Sequence, residues 1–120
     1  MIREGVFQLA LREEVAGPRI PARADCLLGA GRQSGVIDAG RIDRTLRKWG
    51  AAFRASLVYS ARRSLGHVGS HHVGFDDTER ALGLSRVLRV EISDASSTHD
   101  VLAAMRDLDL VAYARPESLA

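Results

Sequence analysis

The last third of the chain carries three hydrophobic patterns in succession. Apolar and polar residues alternate over residues 86–92, which is the period of a β-strand with one buried face. Apolar residues after position 97 recur at helical spacing instead. A short apolar run covers residues 110–114, where Tyr113 is expected in the core, and Pro116 is expected to end regular pairing. The inward positions of the strand and helix are predicted to be Leu88, Val90, Ile92, Val101, Leu102, Met105 and Leu108.

Residues that favour helix ends flank both of the longer helical patterns. Asp38 is the predicted N-cap of the first helix, and Gly50 stands where a left-handed C-cap belongs. Ser97 and Asp100 have the spacing of a capping box at the start of the second helix. The first helix is therefore expected over residues 38–49, with Ile42, Leu46 and Trp49 on its apolar side.

Two further strand patterns, over residues 5–12 and 51–59, complete the set of predicted elements. One or two helical turns are also expected over residues 76–82, capped by Asp76 or Asp77. The resulting order is β-α-β-β-α-β. It predicts an α+β, ferredoxin-like fold in which two helices cover one face of a four-stranded antiparallel sheet.

Length and composition indicate one domain that spans residues 1–120, with long loops at 16–35 and 62–83. The first loop is expected to hold a flap, a short helical turn over residues 22–28 or an irregular excursion. The net charge of +2 is too small to predict nucleic-acid binding by itself. No signal pattern and no run of membrane-spanning length is present. The predicted location is cytoplasmic if Met1 is the native start, and secreted if the chain is a fragment of an exported precursor.

A combination of glycines, core residues and one proline marks the second half of the chain. A Gly-Leu-x-Arg turn begins at Gly83 and leads into the third predicted strand, and Gly50 precedes the second strand. The closing helix and strand carry Leu102, Arg106 and Leu108, followed by a Val-x-Tyr-Ala-x-Pro run at Val111, Tyr113, Ala114 and Pro116. Together, over about residues 37–120, these features resemble the prodomain of subtilisin-like serine proteases.

The resemblance implies a protein-binding module and not an enzyme. A prodomain of this kind lays its sheet on the protease and places its C-terminal tail in the substrate cleft as an added strand. It inhibits the protease and assists its folding, because binding the folded state stabilises it. The sheet face opposite the helices is then expected to stay free for docking. The residues of the implied tail are Arg115, Pro116, Glu117, Ser118, Leu119 and Ala120.

An alternative hypothesis is a stand-alone cytoplasmic interaction or assembly domain that has the prodomain fold but no protease partner. An exposed edge strand would favour a homodimer in that case. No Gly-x-Ser-x-Gly nucleophile turn is present, and the adjacent carboxylates at Glu13–Glu14 and Asp76–Asp77 point apart, so an enzyme is not expected. No cofactor, nucleic acid or membrane is predicted as a partner.

Three histidines, His67, His71 and His72, cluster in a glycine-rich segment. Imidazole is a common metal ligand, but no obvious tetrahedral set is completed there, so no metal is predicted. A solvated loop and a pH-sensing loop both remain open, since protonation near pH 6.5 would add positive charge.

Cys26 and the aromatic residues are assigned structural roles. A catalytic cysteine needs a neighbouring histidine, which the sequence does not place beside Cys26, so an inert, half-buried thiol is expected. RNA binding on the sheet would need aromatic residues on the central strands. The third predicted strand has none, and Phe7, Phe53 and Tyr59 are assigned to the core.

Overall fold

The computed structural model describes residues 2–13, 20, 23–27, 33–59 and 84–118. Its strands and helices, in chain order, are β1 (Ile2–Leu11), α1 (Arg23–Leu27), α2 (Arg41–Gly50), β2 (Phe53–Leu57), β3 (Val87–Ile92), α3 (Thr98–Arg106) and β4 (Val111–Ser118). Short 3₁₀ turns at Leu84–Arg86 and Ala95–Ser97 precede β3 and α3. None of the described helices is long and apolar enough to cross a membrane.

The strands form one antiparallel sheet in the order β2-β3-β1-β4. The predicted α+β class, with a four-stranded antiparallel sheet and two main helices, is confirmed. The ferredoxin-like assignment stays a prediction. Because β1 and β2 both run antiparallel to β3, they are parallel to each other, and α2 is the crossover that joins them. In the same way α3 joins β3 to β4, so the two helices run in opposite directions.

One apolar cluster lies between the helices and one face of the sheet. The alternation predicted for β3 is confirmed, since its inward residues are buried, and the same is true of three of the four inward positions predicted for the last helix. Leu108, the fourth, is partly buried at the margin of the cluster. The largest fully buried apolar side chains are Phe7, Leu9, Ile37, Ile42, Leu46, Leu88, Met105, Val90 and Val101.

Gly50 is not the left-handed C-cap that the sequence predicted. It is the last residue of α2, and the positive φ of 62° falls on Ala51 instead. A Cβ atom at Gly50 would lie 2.8 Å from Cγ2 of Ile92 and 3.3 Å from Cγ2 of Val101. Glycine is therefore required there by the close approach of α2 to β3 and α3, and not by backbone conformation.

The start of α2 is held by two aspartates that accept backbone hydrogen bonds in opposite directions along the chain. The helix begins at Arg41 and its N-cap residue is Gly40, so the prediction that Asp38 is the N-cap is wrong in position. The Asp38 carboxylate nevertheless accepts from the N–H groups of Gly40, Ile42 and Asp43. The Asp43 carboxylate is 1% exposed. It accepts from the three N–H groups of residues 37–39 at 2.9–3.3 Å. Asp38 thus satisfies N–H groups that the start of an α-helix leaves unpaired, and Asp43 satisfies N–H groups of the segment that leads into the helix.

The capping box predicted at the start of the second helix is wrong. Ser97 makes no side-chain cap, and its hydroxyl donates to Asp94 at 2.8 Å. Thr98 takes the structural role instead: its hydroxyl donates to the Ala95 carbonyl at 2.7 Å and accepts from the N–H of Gly5 at 2.8 Å. The 3₁₀ turn before α3 is thereby tied to β1, a long-range contact that a local sequence pattern does not reveal.

Three other predictions about elements need correction. Pro116 does not end the fourth strand, which continues to Ser118 with Pro116 opposite Phe7. β4 is an edge strand, and proline is tolerated at an edge. Tyr113 and Tyr59 are not core residues, because they are 41% and 44% exposed. The second strand is shorter than predicted and ends at Leu57.

Of the two long loops, the structure describes only part. The helical turn that was one of the expectations for residues 22–28 is present as α1. The helical turns predicted over residues 76–82 and the rest of the loop at 62–83 lie outside the described residues.

Candidate interaction site at strand β4

The two edges of the sheet differ. At the β2 edge, Ser34 pairs with Ala55 through hydrogen bonds of 2.8 and 2.7 Å in the two directions, so the outer side of β2 is occupied. β4 pairs with β1 on its inner side. No other strand in the described part of the chain pairs with its outer side. β4 is thus the edge whose outer side no described strand pairs with, and an edge of this kind is where a further extended segment can add.

Pro116 modifies this edge. Proline has no N–H, so the row of backbone donors along β4 is interrupted at Pro116. Edge prolines are a known device against uncontrolled edge-to-edge pairing. Within residues 111–115 two backbone groups already have partners: the Val111 N–H donates to the Leu108 carbonyl at 3.1 Å, and the Ala114 carbonyl accepts from Arg106 at 2.9 Å. The edge is therefore open only in part, and Pro116 interrupts it near the end of the strand.

A buried guanidinium lies on the face of the sheet opposite the helices. Arg89 is only 2% exposed, although it occupies an outward position of β3 by alternation. Its Nε and Nη2 donate to the two carboxylate oxygens of Glu117 at 2.8 and 3.2 Å, and Nη1 donates to Glu91. Burial lowers the pKa of Arg89, but the two carboxylates outweigh it, and the net pKa is raised. The guanidinium is therefore a permanent cation held by two carboxylates.

Glu91 connects this cluster to the α1 side of the molecule. Its carboxylate accepts from Gln33 Nε2 at 3.4 Å and lies 3.9 Å from Nη1 of Arg23. Burial raises the pKa of Glu91, yet the hydrogen bonds from Arg89 and Gln33 and the nearby positive charges lower it by more, so the net pKa falls below 4.5. Glu91 is thus ionised at neutral pH and supplies the second negative charge beside Arg89.

The sheet face opposite the helices is therefore not free throughout, contrary to expectation. Arg89 is buried near its centre, and Ser56, opposite Arg89 in the β2–β3 register, is fully buried with no hydrogen-bond partner for its hydroxyl. Exposed side chains lie at the β4 margin. There Arg115 donates to Oε1 of Gln8 at 2.9 and 3.2 Å, and its Cζ lies 5.2 Å from the centre of the Tyr113 ring.

The predicted tail residues fall into two groups. Arg115, Pro116, Glu117 and Ser118 belong to β4, and Glu117 is held by Arg89. Leu119 and Ala120 lie outside the described residues. Binding in a protease cleft stays a prediction. If the pairing of β1 with β4 is kept, the part that can leave the sheet is confined to the residues after Ser118.

The other candidate residues do not join this site. His67, His71 and His72 lie outside the described residues. Cys26 is a half-buried thiol in α1. Within the described part of the chain, no group of three histidine, cysteine, aspartate or glutamate side chains is arranged to hold a metal. The Arg89 cluster was missed in the sequence, where its one signal is an arginine placed between apolar residues of β3.

Comparison with known proteins adds no relative. No family model matches the chain, and no curated protein or solved structure shows significant similarity to it.

Proposed function

We propose that this chain is a protein-binding module that inhibits a subtilisin-like serine protease and assists its folding, with its last residues in the protease cleft. The observation that carries the proposal is the position of β4, an edge strand that remains extended up to Ser118. Proteases of this class take substrates as extended strands, so a segment leaving an edge strand already has the backbone direction that strand addition needs.

The Arg89–Glu117 pair gives this segment a fixed starting point. A bidentate contact between a guanidinium and a carboxylate is directional and stronger than a neutral hydrogen bond. Because Glu117 is anchored, few residues beyond it need to be ordered when Leu119 and Ala120 bind. Fewer residues to order means a smaller entropic cost of association.

Inhibition of proteolysis tests the proposal. The purified chain is titrated into subtilisin-like proteases with a chromogenic peptide substrate, and competitive inhibition is expected. A variant with Leu119→Asp and Ala120→Asp keeps every described contact and is expected to lose most of the inhibition. Glu13→Gln, an exposed change beside β1, is the matched control and should inhibit like the unchanged chain.

Two results would contradict the proposal. One is the absence of inhibition across a panel of subtilisin-like proteases at chain concentrations of about 100 μM, which corresponds to a binding free energy of only about 5.5 kcal/mol. The other is equal inhibition by the doubly substituted chain, since the last two residues would then not occupy the cleft.

The alternative of a stand-alone interaction domain is favoured by a different observation: within the described chain, no strand pairs with the outer side of β4. A homodimer through this edge would keep the same fold and need no protease. It predicts self-association in sedimentation experiments without any protease inhibition, and that self-association should be insensitive to charge changes on the helices.

A further inference from the structure

The outer surface of the helical layer carries opposite charges on its two helices. On α2 the exposed ionisable side chains are all cations, because the one acidic residue, Asp43, is buried. The exposed residues of α3 and the position after it include the carboxylates Asp100 and Asp107. Arg106 belongs to the same helix, but its guanidinium donates to the Ala114 carbonyl of β4 at 2.9 Å. The exposed cations of α2 are Arg41, Arg44, Arg47 and Lys48.

Part of this pattern has a local explanation. A helix favours acidic residues in its first turn and basic residues in its last turn. Asp100 in the first turn of α3 and Lys48 in the last turn of α2 satisfy that preference. Arg41 is the first residue of α2, and Asp107 is the C-cap of α3, so both carry the disfavoured sign for their position. The described part of the chain contains no ion pair between α2 and α3 that would compensate them.

We propose that the helical layer is a self-association surface on which a second copy of this chain docks, with α2 of each copy against α3 of the other. The motivating fact is that Arg41 and Lys48 are seven residues apart, as are Asp100 and Asp107. Seven residues are two turns and about 10.5 Å of helix, so the two cations and the two carboxylates have matching separations.

The antiparallel direction of α2 and α3 determines which helix ends lie together, and a Cβ atom at Gly50 would lie 3.3 Å from Cγ2 of Val101, so the end of α2 lies beside the start of α3. A two-fold axis that runs between the helices and parallel to them brings α2 over the oppositely directed α3 of the second copy. Arg41 then faces Asp107 of the second copy, and Lys48 faces its Asp100. Arg41 and Asp107, whose charges are unfavourable for their own helix ends, therefore pair with each other across the interface. The two-fold symmetry repeats the Arg41–Asp107 pair and the Lys48–Asp100 pair.

The side chains of α3 between the two carboxylates include two alanines, which allow α2 of the second copy to approach. In the same register Thr45 faces Ala103 of the second copy, and Arg44 faces Ala104. Ala103 is exposed and Ala104 half-buried, so neither contributes much to the monomer core. Because the proposed interface has a small area and consists mainly of charge pairs, we expect a weak dimer whose affinity depends on salt concentration. The inference does not rest on the proposed function.

Charge reversal tests the register. Self-association of the full chain is measured by sedimentation equilibrium up to millimolar concentration, at about 50 mM and about 500 mM NaCl, across which the Debye length shrinks to a few ångströms. The higher salt is expected to weaken dimerisation about tenfold or more. Arg41→Asp and Asp107→Arg should each abolish it, because each places like charges opposite one another at two symmetric positions.

An equimolar mixture of the two variants provides the decisive measurement. Residue 41 of one variant and residue 107 of the other are then complementary at both positions, so a heterodimer is expected with an affinity close to that of the unchanged chain. Both substitutions place the favoured sign at a helix end, so they should not destabilise the monomer. Arg54→Asp, on the exposed side of β2 and away from the helices, is the matched control and should leave association unchanged.

Three outcomes would overturn the inference. A chain that stays monomeric at millimolar concentration and low salt has no such surface. Association that survives both single reversals uses another surface, for example the β4 edge. A mixture of the two variants that fails to associate, although both fold, contradicts the proposed register.

Discussion

Gly50 and Ala51 are adjacent in sequence but are expected to respond to substitution in opposite directions. A Cβ atom at Gly50 would overlap Cγ2 of Ile92, at 2.8 Å, and press on Cγ2 of Val101, at 3.3 Å. Overpacking of this kind costs about 1–3 kcal/mol, while the better helix propensity of alanine contributes about 1 kcal/mol in the other direction. Gly50→Ala should therefore lower the free energy of unfolding by about 1 kcal/mol.

Ala51 has the backbone that favours glycine. Its φ of 62° and ψ of −128° lie outside the regions that residues with a Cβ prefer, at a cost of about 1–3 kcal/mol. Glycine removes that strain but loses about 0.5–1 kcal/mol more conformational entropy on folding. Ala51→Gly should raise the free energy of unfolding by about 1 kcal/mol. Urea unfolding followed by far-UV circular dichroism, with an unchanged m-value, measures both effects.

A double-mutant cycle separates the packing explanation from a backbone one. The cycle combines Gly50→Ala with Ile92→Ala. Both are made in the Ala51→Gly background, because the stability gained from Ala51→Gly offsets part of the roughly 2–5 kcal/mol that truncating a large core side chain costs. If Ile92 is the obstacle, Gly50→Ala becomes neutral or stabilising once that side chain is truncated. If the two effects add without coupling, the clash with Ile92 is not the reason for glycine, and the reasoning fails.

Three more predictions address the caps, the edge and pH. Asp43→Ala leaves three N–H groups in the segment before α2 without their acceptor and should cost about 3 kcal/mol in urea unfolding; a loss below about 1 kcal/mol would contradict the view that Asp43 holds this segment. Tyr113→Ala should cost less than about 1 kcal/mol in the same assay, because the ring is exposed; a loss near 3 kcal/mol would make it a core residue. Asp38 is partly buried, which raises its pKa, but the backbone N–H groups that it accepts lower it further, and Glu91 is also lowered on balance. The stability that they contribute is therefore complete above their unfolded values of 3.8 and 4.5 and is lost as pH falls below them, so the urea midpoint should decline from about pH 4.5 downward; a midpoint unchanged down to pH 2 would contradict this.

The sequence predicts the elements of this fold well where one residue pattern corresponds to one environment. The alternation in β3 and the spacing of Val101, Leu102 and Met105 follow directly from a single core, because each inward position faces the same apolar cluster. Element order and fold class follow from these hydrophobic patterns, so both are predictable from the sequence.

The errors occur where a residue responds to a neighbour that is distant in sequence. Gly50 looks like a C-cap, but its requirement comes from Ile92, which lies on another strand. Pro116 looks like a terminator because local rules do not reveal that β4 is an edge strand. Arg89 occupies an outward position by alternation, and its buried charge is balanced by carboxylates in β3 and β4. The candidate site depends on such distant contacts, so the sequence predicts the strand β4 but not the Arg89–Glu117 contact that holds its end.

The Arg89–Glu117 contact joins two strands that are not neighbours, since β1 lies between β3 and β4. The contact spans β1 and connects β3 directly to β4. The stability of the middle of the sheet therefore depends on the last strand. Trimming the chain before Glu117 would remove the carboxylate that contacts the buried Arg89 through two hydrogen bonds and leave Glu91 to balance that cation, and loss of a partner from a buried ion pair is destabilising. Truncation of the C-terminus is therefore expected to be tolerated only after Glu117. Although β4 is an edge strand, it supplies a side chain on which a buried residue depends.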